Sequence, residues 1–160
     1  MAKVTVYKRI NAAVEKVYAS WNDDYSNIYK YNPNLKHSYL LKDSPRESGL
    51  GALRQCDMKD GKNWIKEKVI KTERNKKLVL DIYEGTLPFK TAFATIDFEQ
   101  VNPHQTDVTF TMDFKPKMGI FGLLLVPLMK KMFKPSLQSL LDGSAQFIES
   151  GKQVNQTIAA

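Results

Sequence analysis

The stretch that decides the fold is "TDVTFTMDFK", residues 106–115, together with the apolar segment that follows it. Valine, phenylalanine and methionine alternate there with threonine and aspartate, which places apolar side chains on one face of a strand and polar ones on the other. This alternation predicts an antiparallel sheet with one covered face and one hydrated face. Residues 118–150 are apolar and largely helical in pattern, and we expect them to cover the sheet.

The beginning of that helical segment, "MGIFGLLLVPLMKKMFKP" at residues 118–135, is the most apolar part of the chain. Its longest apolar run, Ile120 to Met129, is about half of the roughly 20 residues needed to cross a bilayer. Pro127 and Pro135 are expected to divide the segment, with Pro135 in the first turn of a new helix. The pattern favours an element that lines the concave face of a sheet over a membrane anchor.

Six further strands and two short helices are predicted before residue 106. Residues 3–10 alternate as a strand, and two helical stretches follow, "AAVEKVYASW" with Asn11 as its N-cap and "DDYSNIYKYNPN". Strand-like runs then continue to residue 115, separated by turns such as Asp60-Gly61. The order predicts an α+β fold in which a curved seven-stranded antiparallel sheet wraps around a long C-terminal helix.

The composition is that of a globular chain, with 42% hydrophobic and 26% charged residues in 160 residues. We expect one domain over residues 1–152 and a disordered tail over residues 153–160. The net charge of +7 comes from scattered lysines, whereas nucleic-acid binding calls for a clustered basic stripe. One cysteine and the lack of a signal-peptide pattern predict a cytoplasmic protein.

Several segments resemble the START-like, or helix-grip, superfamily, and within it the bacterial polyketide cyclase/dehydrase-like lipid-binding proteins, whose fold is also that of Bet v 1. The matching segments are "INAAVEKVYASWND", "GALRQCDMKDGKNWIKEKV", "EGTLPFKTAFATIDF", "TDVTFTMDF" and "LLDGSAQFIES". The resemblance implies an elongated cavity between sheet and helix that holds hydrophobic ligands and, in some members, supports catalysis. It also places the loop "EGTLPF" near the entrance of that cavity.

Two charged residues are predicted to face the cavity together. If Ile65 and Val69 point inward, Glu67 does too, and Arg54 can meet it from the partner strand. The family often has a glutamate at this position. The pair is either a polar anchor for a ligand carboxylate or hydroxyl, with Glu67 as a candidate acid or base, or an ion pair without a ligand role.

Apolar and aromatic side chains are expected to supply the remaining ligand contacts, because ligand pockets are mainly apolar with few polar groups. The predicted ligand-binding residues, besides Arg54 and Glu67, are Tyr83, Phe93, Phe110, Met112, Phe121, Leu125, Leu128 and Met129. Neither His37 nor His104 has a second ligand at metal-binding spacing. We therefore predict no metal site and no cofactor.

Three functions are compatible with these residues. The favoured one is the binding or transport of a small hydrophobic molecule such as a lipid, a fatty acid or a polyketide-like compound. The second is a cyclase or aromatase that folds a polyketide-like substrate, with Arg54 and Glu67 transferring protons. The third is a peripheral membrane or partner-binding protein that docks through residues 119–133.

Overall fold

The computed structural model describes residues 1–154, and the elements follow the predicted order. The strands are β1 (Ala2–Ile10), β2 (Leu35–Leu40), β3 (Leu53–Met58), β4 (Trp64–Glu73), β5 (Lys77–Gly85), β6 (Phe89–Asn102) and β7 (Gln105–Pro116). The helices are α1 (Val14–Asn22), a 3₁₀ helix (Tyr25–Lys30) and α2 (Gly119–Ser150). Both short helices fall between β1 and β2, as expected.

All seven strands belong to one antiparallel sheet in the order β1-β7-β6-β5-β4-β3-β2. The pairing sets Met112 of β7 between Val4 and Ala94, so buried side chains of neighbouring strands share one face. Register shifts in the β4–β5 pair mark bulges, which increase the local bend of a sheet. The sheet curls into a half-barrel around α2, and the helix-grip prediction is confirmed.

The predicted N-cap of α1 is wrong. The helix begins at Val14 after Ala13, and no side chain caps its first turn. Asn11 lies two residues too early and makes other contacts: its backbone N–H donates to Glu149 Oε1 at 2.8 Å, and its side-chain Oδ1 accepts from Gln105 Nε2 at 2.9 Å. These bonds instead join the end of β1 to α2 and β7.

The predicted division of the C-terminal segment is also wrong, because α2 is a single helix of 32 residues that contains both Pro127 and Pro135. A proline inside a helix removes one hydrogen bond to the carbonyl four residues earlier. Here both proline rings are exposed, as are Leu123 and Lys131, whose carbonyls lose their partners. Water can solvate these groups, so the helix continues through both positions.

The C-terminal half of α2 is held firmly against β1 and the short helices. Leu140, Leu141, Ala145 and Ile148 are buried there. Gln138 Nε2 donates to the carbonyl of Tyr7 at 3.2 Å, and Asp142 pairs with Lys8 at 3.2 Å. A Cβ on Gly143 would overlap the carbonyl oxygen of Tyr31, so the glycine allows the closest approach of the helix to the chain before β2.

The N-terminal half of α2 has fewer buried residues than the C-terminal half. Gly122 and Met129 are buried on one side of it, whereas Ile120 and Leu124 on the other side are exposed. Within residues 1–154, no helix is both long and apolar enough to span a membrane. Of the predicted tail, residues 155–160 lie outside the described residues, and the amide of Val154 donates to the carbonyl of Lys30.

Candidate functional site

A cavity of about 470 Å³ lies between the concave face of the sheet and α2. Its walls are mostly apolar because the inward positions of the central strands carry aliphatic and aromatic residues. The sheet contributes Ile65, Leu80, Ile82, Ala94, Phe110 and Met112. The middle of α2 contributes Met132, Phe133, Leu137 and Leu140.

Trp21 of α1 joins the helix, the sheet and the cavity wall. Its indole Nε1 donates to Ser144 Oγ at 3.1 Å, which satisfies the only polar atom of a side chain that is 1% exposed. Its ring lies 6.1 Å from that of Phe110 and 5.5 Å from that of Tyr31, centroid to centroid. This cluster fixes the distance between α2 and β7, and hence the width of the cavity.

The polar part of the lining is the predicted pair of charged residues. Arg54 of β3 and Glu67 of β4 are direct neighbours in the strand register and point to the concave side. Arg54 Nε donates to Glu67 Oε2 at 2.6 Å, and the two residues are only 1% and 6% exposed. Charge-assisted hydrogen bonds of this length are strong. Because both side chains are buried, removing either one would leave the other as an unpaired buried charge.

Tyr25 of the 3₁₀ helix completes the polar cluster. Its carbonyl accepts from Arg54 Nη1 at 2.7 Å, and its ring lies 4.1 Å from the guanidinium carbon. Burial is the largest single influence on the pKa of Arg54 and lowers it, but the Glu67 carboxylate, together with smaller contributions from Tyr25, Cys56 and Tyr31, raises that pKa above its ordinary value. Burial raises the pKa of the Tyr25 phenol, whose hydroxyl donates to the Glu67 carbonyl at 3.2 Å. Arg54 therefore stays charged and fixed.

Cys56 lies beside this cluster, on the same face of β3 as Arg54. The thiol is 2% exposed, and its Sγ lies 3.5 Å from Glu67 Oε2. Burial, followed by the nearby Glu67 charge, raises the pKa of the thiol well above its ordinary value. Cys56 thus behaves as a small buried side chain rather than a nucleophile.

The raised pKa of Cys56 predicts that stability decreases at alkaline pH. Above its ordinary value of 9.0 the thiol ionises in the unfolded chain but stays protonated in the folded one. The unfolded state then binds fewer protons, so the free energy of unfolding should fall by about 1.4 kcal/mol per pH unit for this group. Urea unfolding between pH 8 and 10 measures the slope. The Cys56→Ala variant should lack the contribution of the thiol to this slope. Equal slopes for the two proteins would contradict the assignment of the slope to Cys56.

One end of the cavity is bordered by exposed residues and forms its entrance. Lys59 and Asp60, in the turn between β3 and β4, are exposed, as is Met132 of α2. Leu87, in the β5–β6 loop, lies at the cavity as well, and Phe89 follows it into the wall. The loop "EGTLPF" therefore reaches the cavity, as the family resemblance implies.

The predicted ligand-binding residues fall into three groups. Arg54, Glu67, Phe110 and Met112 all line the cavity, so the structure brings these four together. Met129 is buried but is not among the lining residues. The other five do not face the cavity.

Two of those five are aromatic residues on the convex side of the sheet. Tyr83 follows the inward-facing Ile82 in β5, and it is 43% exposed. Phe93 lies between Ala92 and Ala94, both buried on the concave face, so period-two alternation turns it outward. The expectation that Tyr83 and Phe93 line the cavity is corrected for this reason.

The other three lie on the N-terminal half of α2. Phe121, Leu125 and Leu128 are exposed, and the side of the helix that meets the sheet carries Gly122 and Met129 instead. Their predicted place in the cavity wall is therefore corrected. The helix carries two apolar sides in this half, and the structure turns only one of them inward.

Several lining residues were not predicted as ligand contacts. They include Trp21 and Ile28 from the segment between β1 and β2, Leu35 at the start of β2, and Phe133, Leu137 and Leu140 from α2. Leu137 and Leu140 belong to a helical apolar stripe visible in the sequence. The stripe predicts that this side of the helix is buried. It does not predict which of its residues line the cavity, because that depends on how α2 crosses the sheet.

Solved structures of the same shape come from several organisms. A START superfamily protein from Mycobacterium smegmatis has a TM-score of 0.78 at 17% identity, covering 95% of this chain and 100% of its own. The protein XoxI from Bacillus cereus has a TM-score of 0.75 at 17% identity, covering 94% and 97%. A norcoclaurine synthase point mutant from Thalictrum flavum, solved with a transition-state analogue, has a TM-score of 0.70 at 13% identity, covering 93% and 94%.

At such identities these structures support the fold alone. No curated protein matches the chain. Residues 1–149, however, match the protein family described as "Polyketide cyclase / dehydrase and lipid transport", a span that includes the whole sheet and nearly all of α2. The half-barrel sheet, the long helix and this match over almost the full sequence lead to one conclusion: the chain belongs to the polyketide cyclase/dehydrase and lipid transport family.

Proposed function

We propose that this protein binds or transports a small hydrophobic molecule, such as a lipid, a fatty acid or a polyketide-like compound, in the cavity between sheet and α2. The observation that carries the proposal is an apolar cavity of about 470 Å³ with one buried polar pair in its wall. Ligand pockets commonly have volumes of roughly 300–1,000 Å³ and a few fixed polar groups. Residues 1–152 would act as one binding domain, and the single buried cysteine suits a cytoplasmic location.

The polar pair indicates which end groups the ligand carries. Both hydrogen bonds that the Glu67 carboxylate accepts from described residues end on Oε2. Its Oε1 can therefore accept a hydrogen bond from a ligand hydroxyl. A fatty-acid carboxylate would meet the Glu67 charge and would have to compete for Arg54. The geometry favours a hydroxyl-bearing lipid or ring compound among the proposed ligands.

The cyclase alternative has weaker support. A general acid or base must be free to exchange a proton with the substrate. Arg54 and Glu67 hold each other at 2.6 Å, Arg54 also bonds Tyr25, and no histidine is among the described residues that line the cavity. This arrangement suits a fixed polar anchor better than a proton-transfer pair.

A substitution that fills the cavity tests the proposed binding site. Ala94 faces the cavity and is 1% exposed, so Ala94→Phe should project a ring into the space that a ligand would occupy. We expect the affinity for the neutral fluorescent probe N-phenyl-1-naphthylamine to fall at least about tenfold, a loss of about 1.4 kcal/mol. Fluorescence titration measures this, alongside native mass spectrometry for a co-purified lipid-sized ligand.

The matched control is Thr95→Phe, the same added ring on the adjacent residue. Thr95 is half-buried and lies on the convex side, so the probe affinity should stay within about twofold of the original. Equal affinity in the original protein and Ala94→Phe would place the probe elsewhere. Absence of both probe binding and a co-purified ligand would overturn the carrier proposal.

A further inference from the structure

The N-terminal half of α2 exposes an unusual concentration of apolar surface. Of the fifteen exposed large hydrophobic side chains in residues 1–154, eight lie between Met118 and Met132. Ile120, Phe121 and Leu124 are 81%, 72% and 76% exposed. We call this surface the apolar face, and it consists of Met118, Ile120, Phe121, Leu123, Leu124, Leu125, Leu128 and Met132.

The apolar face is continuous along the helix. Phe121, Leu124, Leu125, Leu128 and Met132 recur at intervals of three and four residues, which places them on one side. The opposite side meets the sheet through Gly122 and Met129. A helix on the surface of a globular protein normally turns polar residues to water, so a second apolar side indicates contact with another apolar medium.

The charges around the apolar face identify that medium. Lys115 and Lys117 precede the helix, and Lys130, Lys131 and Lys134 follow the face along it; all five are exposed. None of them forms an ion pair with a described residue. The sequence has no acidic residue between Asp113 and Asp142. An apolar surface whose own chain segment carries only cationic side chains matches a bilayer with anionic headgroups.

A second copy of the chain fits this surface poorly. A symmetric pairing would bring the same patch together from both subunits. The lysines of the two copies would then approach one another, with no carboxylate in this segment to balance them. Like charges at such an interface oppose association, whereas anionic lipid headgroups neutralise them.

We propose that the apolar face of α2 docks this protein onto anionic lipid membranes, with the helix lying in the plane of the interface and its lysines on the headgroups. Met132 belongs both to the apolar face and to the border of the cavity entrance, so docking brings the entrance to the lipid surface. The proposed docking depends only on the exposed residues of α2 and the lysines beside them. Only the consequence that cargo passes between membrane and cavity rests on the proposed function.

Vesicle co-sedimentation tests the docking, with vesicles of phosphatidylcholine alone or with one quarter phosphatidylglycerol, in low and high NaCl. We expect binding to the mixed vesicles at low salt, and weaker binding at high salt or without phosphatidylglycerol, because salt screens the lysines. The Phe121→Gln/Leu124→Gln variant should bind at least about tenfold more weakly, because it removes two large apolar anchors while keeping good helix formers. Ile70→Gln/Tyr83→Gln, which changes two exposed residues outside the face, should bind normally.

Two triple variants with the same net charge test whether these particular lysines contribute to membrane binding. Lys130→Gln/Lys131→Gln/Lys134→Gln should lower the affinity for the mixed vesicles by about tenfold to a hundredfold at low salt. Lys16→Gln/Lys36→Gln/Lys76→Gln removes the same net charge from exposed positions elsewhere and should have a much smaller effect. Equal losses in the two triple variants would overturn the assignment of the site.

Two further results separate docking from ligand binding and from self-association. Ala94→Phe should bind vesicles normally while losing the probe, since the apolar face is intact; loss of vesicle binding in that variant would contradict a separate docking surface. Analytical ultracentrifugation should give a sedimentation coefficient for Phe121→Gln/Leu124→Gln equal to that of the original protein. A concentration-dependent oligomer that this variant abolishes, without vesicle binding by the original protein, would overturn the proposal in favour of a protein interface.

Discussion

Replacing Arg54 with methionine should lower the free energy of unfolding by about 3–5 kcal/mol. Methionine keeps much of the volume of the arginine stem, so the loss comes mainly from the Glu67 carboxylate, which would remain buried without its partner. The carbonyl of Tyr25 would also lose the hydrogen bond from Arg54. Urea unfolding followed by circular dichroism measures the change.

The double variant Arg54→Met/Glu67→Leu separates the ion pair from simple packing. Replacing both charged partners with apolar residues of similar size is often neutral or stabilising, so the double variant should be clearly more stable than Arg54→Met. Equal losses in the single and double variants would show that the unpaired carboxylate is not the cause. If the pair is a ligand anchor, the double variant should still bind N-phenyl-1-naphthylamine and lose its preference for hydroxyl-bearing ligands.

Replacing Gly143 with alanine should lower the free energy of unfolding by about 2–3 kcal/mol. Alanine favours a helix over glycine by about 1 kcal/mol, so propensity alone predicts the opposite sign. The added Cβ would overlap the Tyr31 carbonyl oxygen and come within 3.2 Å of Pro33 Cδ. Either α2 or the segment before β2 must move, and both contribute to the cavity wall.

Gln146→Ala is the matched control for this substitution. Gln146 is exposed three residues further along the same helix, so its replacement should change the stability by less than about 0.5 kcal/mol. Thermal unfolding of both variants gives the comparison. Unchanged or increased stability of Gly143→Ala would show that the helix can shift away from Tyr31 at little cost.

The sheet was predictable from the sequence because its strands carry a clear period of two. The alternation around Phe110 and Met112 identified the inward side of β7 correctly, and the parity of Ile65 and Val69 placed Glu67 opposite Arg54. These predictions rest on backbone geometry, which forces alternate side chains to opposite faces whatever the tertiary context. The pairing of Arg54 with Glu67 followed from the same rule.

Residue size does not predict which side chains of β5 and β6 face the cavity. In β6 the large Phe93 faces outward and the small Ala92 and Ala94 face inward. Ala94 lines the cavity, where a larger side chain would take up the space. A cavity reverses the usual association of large side chains with the interior. The aromatic ring of Tyr83 in β5 is likewise exposed, so aromatic character alone does not predict a ligand contact in the cavity.

The orientation of α2 could not be obtained from its sequence either. Its N-terminal half is apolar on two sides, and periodicity alone gives no preference between Phe121 and Met129 as the buried one. In the structure, Gly122 packs against the end of β7 and the turn before the helix: a Cβ there would overlap the Lys117 carbonyl oxygen and come within 3.1 Å of Pro116 Cβ. A small residue can therefore indicate where two segments pack closely, just as a large apolar residue can indicate a buried position.

The way α2 lies along β1 bears on how copies of this protein can aggregate. β1 is the first strand of the sheet order, so one of its edges has no strand beside it. Such an edge can template strand addition by another chain, the geometry that propagates fibrils. Gln138 of α2 already donates to the Tyr7 carbonyl on that edge, and Asp142 holds Lys8 beside it. The helix that borders the cavity thus also protects this edge of the sheet from fibril-like growth.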